Sequence, residues 1–470
     1  MNPSSTKSLV LVGGGHANIQ VIKSLSTLSS KIKSKLNIIL VDKYDSSTYS
    51  GMIPGCVSKL YKPHEACIPF QPIANYAGIQ FIQDEVIDIQ SNYIQLLKSK
   101  KRIDFDCLSL DLGSTVRGIN EIPGVKEHTI PTRPINNLIS RIEEAEIVMK
   151  NNKHQHYSLV VVGGGFAGIE MALTLRNRWK DHFPSLEVTL INADTQLLSS
   201  ESLSCRNFMN QRLKENNINI LNSTLVSKIT EDGIEIRNKN DLPENGQQKL
   251  SYTHCIWATG AAPHTNLTNT LLQSSILSLD PKGWIKVHST FQSTSYPNIF
   301  AAGDCCSMHQ YPNTPKAGVY AVRAGPILHQ NILSYIFHQD SELLQSYKPQ
   351  SDFLKLINIG DGTAIGFRFN LYFYGKWVMA LKDYIDRTFI NLFLEGSFKV
   401  KDDHKEGEHV KQYDAIDYTK ERIDAKDAAS ILTSEDANDY HLPSKIITDM
   451  ANDEEYANDI VNLVKLVRNE

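Results

Sequence analysis

The sequence has few of the features that mark secreted, membrane-spanning or metal-binding proteins. Its seven cysteines are odd in number and scattered over 470 residues, so they do not form a disulfide framework and fit a reducing compartment. Cys305 and Cys306 are adjacent, but no histidine pattern accompanies them, so we expect no metal site. No run approaches twenty uninterrupted apolar residues, which argues against a transmembrane helix.

The sequence also has little net charge and no recognisable targeting segment. The formal net charge is −4, with 48 basic and 52 acidic residues, and this balance gives no reason to expect a nucleic-acid partner. The first residues, MNPSSTK, form neither an apolar signal region nor an Arg-rich presequence, so we expect a cytoplasmic protein. A chain of 470 residues is too long for one hydrophobic core, so several domains are expected.

The first strong motif is a glycine turn near the N-terminus. Residues 9–12 form a short apolar run, typical of a buried parallel strand, and Gly13, Gly14 and Gly15 follow it directly. Helical spacing over residues 17–28 and the apolar segment LNIILVD, which ends at Asp42, complete a βαβ unit. Such a turn admits a pyrophosphate to the helix N-terminus, and Asp42 is placed to bind a ribose. Asn18 stands where a third glycine is usual.

A second glycine turn lies about 150 residues further along the chain. Gly163, Gly165 and Gly168 complete the pattern G-x-G-x-x-G between the strand LVVV and an apolar helix. The next strand, LEVTLIN, ends at Asn192, and no arginine lies between residues 192 and 198, which favours NADH over NADPH. A single glycine turn is often only a tight connection. Two in the same context predict two dinucleotide sites, and therefore electron transfer between two cofactors.

Three further segments each end a strand at a glycine. FDCLSLDLGST closes on Gly113 and THCIWATGAAP closes on Gly260, which makes a matched pair. YPNIFAAGDCC closes on Gly303 and Asp304 and precedes a predicted helix that begins near Ala317. These turns are the positions at which a doubly wound sheet meets its ligand.

With these motifs assembled, the chain resembles the FAD- and NAD(P)-binding pyridine-nucleotide oxidoreductases, a group that includes type II NADH dehydrogenases and flavoprotein disulfide reductases. The resemblance covers most of residues 8–393. More narrowly, VGGGHA, YSGMIPG (residues 49–55), LSLDLGST and PKAGVYAVR resemble flavoprotein modules that are joined to, or encoded beside, selenophosphate synthetases.

The resemblance implies two cofactor sites. Val86 would lie near the adenine of FAD, Asp304 would receive a hydroxyl of its ribityl or pyrophosphate side, and His16 would pack beside its phosphates rather than act as a base. The residues implied for FAD are Gly13, Gly15, His16, Ala17, Asp42, Val86, Gly113, Ser114, Gly303, Asp304, Ala317 and Gly318. Those implied for NADH, with NADPH as the alternative, are Gly163, Gly165, Gly168, Asn192 and Gly260.

Two residues are candidates for catalysis, each with a structural alternative. Glu170 matches a glutamate that in relatives lies toward the nicotinamide, but an acid in the first helical turn is also stabilised by the helix dipole. Lys316 would stabilise an anionic reduced flavin if it lies beside the ring, whereas a loop lysine is more commonly exposed.

The function implied is hydride transfer from NADH to FAD, followed by electron delivery to an acceptor such as a quinone. The spacings C-x-x-C and C-x-x-x-x-C of disulfide reductases are absent. A single reactive thiol at Cys56, serving a reductase of a small disulfide or selenium compound, is the enzymatic alternative. A flavin-bound sensor or scaffold without turnover is the non-enzymatic alternative.

The C-terminal part carries an amphipathic helix and an acidic tail. In residues 377–393 we expect Lys382, Asp386 and Arg387 to lie away from an apolar face. That face would contact the surface of a membrane, another domain or the second copy of a homodimer. The members of that face are Trp377, Leu381, Tyr384, Ile385, Phe389, Leu392 and Phe393. The last 70 residues contain 18 acidic and 9 basic side chains, so partial disorder is expected there.

The predicted fold class is α/β, with two Rossmann-like, doubly wound domains. The NAD(P)H-binding domain (residues 118–283, with its linker) is inserted into the FAD-binding domain (residues 1–117 and 284–335). An αβ segment, residues 336–398, would form the interface with the acceptor or the membrane. The acidic tail, residues 399–470, completes the chain.

Overall fold

A computed structural model describes residues 6–151, 156–241, 247–264, 276–338 and 343–394 of the chain. The predicted acidic tail therefore lies outside the described residues. Within them, no helix is long and apolar enough to cross a bilayer. Two parallel sheets of five strands each organise the fold, as the repeated glycine turns predict.

The first sheet is built from two distant parts of the chain. Its strands are, in spatial order, Ile299–Ala301, Cys107–Leu110, Lys7–Val12, Leu36–Asp42 and Gln80–Gln83. All neighbouring pairs are parallel, so their carboxyl ends share one edge. Because Ile299–Ala301 returns to pair with Cys107–Leu110, the chain between them forms an insertion, as predicted.

The second sheet belongs to the inserted unit and is also entirely parallel. Its strands are, in spatial order, Ile130–Pro131, His254–Trp257, Tyr157–Val162, Leu186–Ile191 and Ile218–Leu221. Near-continuous burial of the central strands reflects their apolar sequences, because a strand covered on both faces needs apolar side chains on both.

Smaller sheets surround these two. Two antiparallel three-stranded sheets contain Val86–Ile89, Tyr93–Leu96 and Arg102–Asp104, and Thr224–Thr230, Gly233–Asn238 and Gln248–Leu250. Two-stranded pairs join Ser46–Thr48 to Cys67–Pro69, Thr115–Val116 to Ala261–Ala262, and Ile285–Val287 to Cys306–Met308.

Two helices follow the glycine turns, and one follows the return strand. His16–Ser26 is named here the first turn helix, Phe166–Trp179 the second turn helix, and Gly318–His338 the return helix. The other α-helices among the described residues are Ser30–Lys33, Ile53–Val57, Phe70–Ala77, Val125–His128, Leu138–Asn151, Leu203–Glu215 and Lys376–Asn391. Short 3₁₀ turns cover Ser50–Met52, Pro63–Ala66, Ile135–Asn137 and Gly303–Cys305.

The C-terminal segment is an antiparallel sheet followed by a helix, as the sequence predicts. Lys355–Asn358, Ala364–Arg368 and Leu371–Gly375 form the sheet, and Lys376–Asn391 is named the C-terminal helix.

The predicted orientation of the C-terminal helix was wrong for two charged residues. Lys382 is only 5% exposed and Asp386 only 3%, so both lie on the buried face. They pair with each other at 3.1 Å, and the Lys382 ammonium also donates to the Gly51 carbonyl at 2.7 Å. These contacts satisfy both charges inside the protein. Arg387 is exposed, as expected.

A buried carboxylate ties the inserted unit to the first. Glu146, in Leu138–Asn151, accepts hydrogen bonds from Lys59 at 3.0 Å, Lys150 at 2.6 Å, Arg178 at 2.6 Å and the Trp179 indole at 3.3 Å. Burial alone would raise its pKa, but the bonds from Lys150, Lys59 and Arg178 lower the pKa to about 2. The stabilisation is therefore present above the ordinary glutamate pKa and is lost as the pH falls toward 2.

Replacing Glu146 with Ala should lower the free energy of unfolding by about 3–5 kcal/mol, because the buried Arg178 guanidinium loses its counter-charge. Urea denaturation followed by circular dichroism measures this. Glu144→Ala on the exposed side of the same helix is the matched control and should change it by less than about 0.5 kcal/mol. Equal losses in both variants would contradict the role of Glu146.

Candidate dinucleotide sites

A large cavity opens at the carboxyl edge of the first sheet. Its volume of about 660 Å³ suits a cofactor-sized ligand. The cavity is named here the main cavity. Of the residues predicted for FAD, those that line it are Gly13, Gly15, His16, Asp42, Val86, Gly113, Ser114, Asp304 and Gly318. Sequence positions up to 305 residues apart are thus brought to one site by the parallel strand ends.

The first turn presents unpaired amides to the main cavity. The Asp42 carboxylate accepts the Gly14 amide at 2.7 Å and the Tyr44 amide at 2.8 Å. Burial raises the pKa of Asp42, and these two bonds oppose the rise. The amides of Gly15 and His16 have no partner within the part of the chain that the structure describes. Free amides at a helix N-terminus, together with the helix dipole, form a site for a phosphate group.

Asn18 stands at the position of the third glycine of the first turn, and its side chain is accommodated there by hydrogen bonds. Its side chain is completely buried, and its amide nitrogen donates to the Gly13 carbonyl at 2.8 Å. The Ser109 hydroxyl donates to its amide oxygen at 2.7 Å. Asn18 thereby links the turn to the neighbouring strand Cys107–Leu110 without an unsatisfied polar group.

Asp111 is a residue of this site that the sequence analysis missed. Its carboxylate accepts the amides of Ala17 at 2.8 Å and Asn18 at 3.1 Å, and it lies against Gly15 so closely that a Cβ there would collide with it. Burial raises the pKa of Asp111 to about 7 against the effect of those two amide bonds. The signal in the sequence was an acid in LSLDLGST immediately after an otherwise buried strand.

Arg133 is a second missed residue, and it reaches the main cavity from the inserted unit. It follows the strand Ile130–Pro131, and its guanidinium contacts Ser114 and Asp304. It also donates to the Lys316 carbonyl at 3.1 Å. No local motif marks Arg133, because its partners come from distant parts of the chain.

The side chain of Lys316 does not line the main cavity, where it was expected to stabilise a flavin ring. Its ammonium donates to the Cys306 carbonyl and lies 4.5 Å from the centre of the Trp284 ring. Lys316, Gly303 and Ala317 line a smaller neighbouring cavity, not the main one. Of the charged side chains near Asp304, it is therefore Arg133 that contacts its carboxylate.

His16 joins the first turn to the C-terminal helix. Its ring stacks on Phe389 with centroids 5.8 Å apart, and Tyr49 packs on both. Its Nε2 atom is buried with no hydrogen-bond partner among the described residues. Burial lowers the pKa of His16 to about 4, so the ring is neutral near pH 7. A neutral ring with one free nitrogen suits ligand packing, the role the resemblance implies.

The second turn has the close packing that G-x-G-x-x-G requires. A Cβ at Gly168 would collide with the Gly163 carbonyl, and Gly163 has a φ of +127°. In contrast, a Cβ at Gly165 or at Gly260 would meet no atom within 4 Å, so the chain approaches open space at both. The turn is tight on its protein side and accessible on its ligand side.

Asn192 is engaged within the protein. Its side chain is only 4% exposed, and its amide nitrogen donates to the Asp194 carbonyl at 3.0 Å and to Asn222 at 2.8 Å. These bonds hold the loop after Leu186–Ile191. The amide oxygen of Asn192 also lies against Gly164 of the second turn, so closely that a Cβ there would collide with it.

Glu170 connects the second turn helix to the C-terminal sheet. Its carboxylate accepts the Asn358 amide at 2.7 Å. Burial raises the pKa of Glu170 to about 7, against the nearby charge of Lys382. It therefore faces the buried Lys382–Asp386 pair and does not line the main cavity.

All seven cysteines are free thiols. Cys56, the candidate for thiol chemistry, is buried, and burial raises its pKa to about 12. A thiol in such a setting is protonated near pH 7 and is a poor nucleophile.

Two parallel sheets, each with a glycine turn at the carboxyl end of a central strand, are the architecture of a protein with two dinucleotide sites. The chain belongs to the pyridine nucleotide-disulphide oxidoreductase family, whose profile matches residues 7–325.

Relatives share modest identity over most of this chain. A probable mitochondrial NADH-ubiquinone oxidoreductase of Schizosaccharomyces pombe is 22% identical over 72% of this chain and 65% of its own length. Human ferroptosis suppressor protein 1 is 24% identical over 84% of this chain and 96% of its own. The NADH complex of Plasmodium falciparum NDH2 superposes with a TM-score of 0.67 at 16% identity, covering 83% of this chain and 97% of that structure.

The two turns should respond differently to a methyl group. Gly15→Ala should lower the free energy of unfolding by about 1–3 kcal/mol, because the new Cβ overlaps the Asp111 carboxyl. Gly165→Ala is the matched control, because it also caps a turn helix in an extended conformation but faces open space. Urea denaturation of both proteins without added nucleotide measures the difference, and equal stabilities would contradict this packing.

Proposed function

We propose that this protein is an FAD-dependent oxidoreductase that takes electrons from NADH and delivers them to a quinone. The observation that carries the proposal is the pairing of two glycine turns on two parallel sheets, with a cofactor-sized cavity at the first turn. Family membership and the name of the yeast relative, an NADH-ubiquinone oxidoreductase, support the donor and the acceptor class.

The residues of the main cavity fit FAD. The free amides of Gly15 and His16 would hold its pyrophosphate, and Asp42 would accept ribose hydroxyls with the lone pairs that its two amide bonds leave free. The unpartnered Nε2 of His16 is a further polar contact for the bound cofactor. When bound, FAD supplies the redox chemistry, which is to accept a hydride from the nicotinamide and to release electrons to the acceptor.

The chain's own contribution to that chemistry is electrostatic. Gly318, the first residue of the return helix, lines the main cavity, so the positive end of the helix dipole faces it. Arg133 adds a guanidinium beside Asp304. The helix end favours negative charge on a bound ring, whereas the charge of Arg133 is offset by Asp304, so we expect Arg133 to orient Asp304.

The second turn would bind NADH. Gly165 leaves space for a pyrophosphate over the N-terminus of the second turn helix. The preference for NADH over NADPH rests on the absence of arginine from residues 192–198. Glu170 is buried near Lys382 and does not line the main cavity. We propose that it influences the nicotinamide end of the site through its electrostatic interaction with Lys382.

Location and assembly stay predictions from the sequence. Much of the apolar face proposed for membrane contact packs inside the protein, as Phe389 does against His16 and Tyr49. The exposed residues of the C-terminal helix include Arg387, Thr388 and Asn391, which favours an intramolecular interface over a membrane surface. Cytoplasmic residence, a homodimer and a link to selenium chemistry remain predictions.

An anaerobic visible spectrum tests the proposed function. The purified protein should show a bound flavin that bleaches on addition of NADH, and more slowly with NADPH. Gly165→Val should keep the flavin but lower the rate of flavin reduction by NADH at least tenfold, because its side chain fills the space over the second turn. Dithionite should reduce both proteins equally. A flavin that neither nucleotide bleaches would instead support the sensor or scaffold reading.

Cys56→Ser tests the thiol alternative. Because the thiol is buried and its pKa is raised to about 12, the variant should retain wild-type rates of NADH oxidation with a quinone. Assays with a quinone and with a small disulfide measure this. A selective loss of disulfide reduction in the variant would restore the single-cysteine reductase.

A further inference from the structure

Asp111 occupies an unusual position for an acid. Its side chain is 3% exposed, and a single oxygen, Oδ2, accepts both the Ala17 and the Asn18 amides. The carboxyl group is pressed between Gly15 and Gly303, since a Cβ at either glycine would overlap it. Asp111 therefore packs against the first turn, and neither Gly15 nor Gly303 can be replaced by a larger residue without a collision.

Asp111 would lie close to the pyrophosphate of a bound FAD because the two would bond to consecutive amides of the chain. The first turn helix offers four successive amides at its start, and Asp111 takes those of Ala17 and Asn18. The amides left for a pyrophosphate, those of Gly15 and His16, directly precede them. A bound pyrophosphate would therefore share one helix N-terminus with this carboxyl group, and Asp111 also lines the main cavity.

We propose that Asp111 is a positioning residue of the FAD site that takes up one proton when the pyrophosphate binds. The inference rests on the FAD binding proposed above. The proton comes from solvent and resides on Oδ1, because Oδ2 is occupied by the two amide hydrogen bonds. In the protonated form Asp111 keeps the turn amides in place without opposing the charge of the ligand.

The surroundings of Asp111 favour the neutral form. The nearby titratable and charged groups are Asp42, Asp304, His16, Arg133, Cys305 and Cys306. Asp42 and Asp304 repel its charge, while the buried His16 ring and both thiols are uncharged near pH 7. Arg133 bonds to Asp304, and within the described chain no cation bonds to Asp111.

The sign of the resulting pH dependence follows from linkage. Burial raises the pKa of Asp111 to about 7 before any ligand is present, and the negative charge of a pyrophosphate raises it further. The protonated form is then the better binder. FAD affinity should be constant below about pH 7 and should fall by up to tenfold per pH unit above it.

The first test measures FAD affinity against pH. Apoprotein titrated with FAD between about pH 6 and 9, followed by flavin fluorescence quenching, should give a Kd that rises with pH. Asp111→Asn, which mimics the neutral acid, should give a Kd that does not change over this range. Asp104→Asn is the control, because Asp104 is an acid on a nearby strand with a 68% exposed side chain. It should keep the wild-type slope, and the same slope in Asp111→Asn would overturn the proposal.

A second measurement needs no variant. Calorimetry of FAD binding to wild-type apoprotein near pH 7.5, in two buffers of different ionisation enthalpy, counts the protons taken up. We expect uptake approaching one proton per FAD, and binding without uptake overturns the inference while leaving the proposed function intact. Failure of the wild-type protein to bind FAD at any pH would remove both.

Discussion

The packing of the first glycine turn against the end of the neighbouring strand is the constraint on which the site depends. Gly13 has a φ of +86° and faces the Asp111 backbone, while Gly15 faces the Asp111 side chain, so a Cβ at either position would collide. This contact fixes the start of the first turn helix and thereby the direction of its free amides. Because the anion would be bound by backbone amides, the geometry of the site depends on how rigidly this backbone is held.

The inserted unit and the FAD-binding unit both contribute side chains at the carboxyl edge of the first sheet. The return of the chain as Ile299–Ala301 brings Asp304 and then the return helix to the cavity. Arg133, from the inserted unit, crosses to Asp304, and Glu146 joins residues of both units through Lys59 and Arg178. Separating the two units would break the Arg133–Asp304 and Lys59–Glu146 ion pairs, whereas the Glu146–Arg178 pair lies within the inserted unit and would stay intact.

The site holds more negative charge than a site for an anionic ligand would be expected to hold. Asp42, Asp111 and Asp304 all line the main cavity, and each is balanced differently. Asp42 and Asp111 accept backbone amides, whereas Asp304 contacts Arg133. Their proximity is tolerable because hydrogen bonds, a guanidinium or a proton compensates each carboxyl group.

The sequence by itself determined the two βαβ units, both glycine turns, the insertion and nine of the residues that line the main cavity. These follow from local periodicity and from glycines whose roles depend on their immediate neighbours. Only the tertiary structure decided the directions of long or charged side chains. It placed Asp111 and Arg133 in the cavity, turned Lys316 toward Cys306, and buried Lys382 with Asp386. Their partners lie far away in sequence, or their charges are satisfied only after packing, so no local pattern indicates where they point.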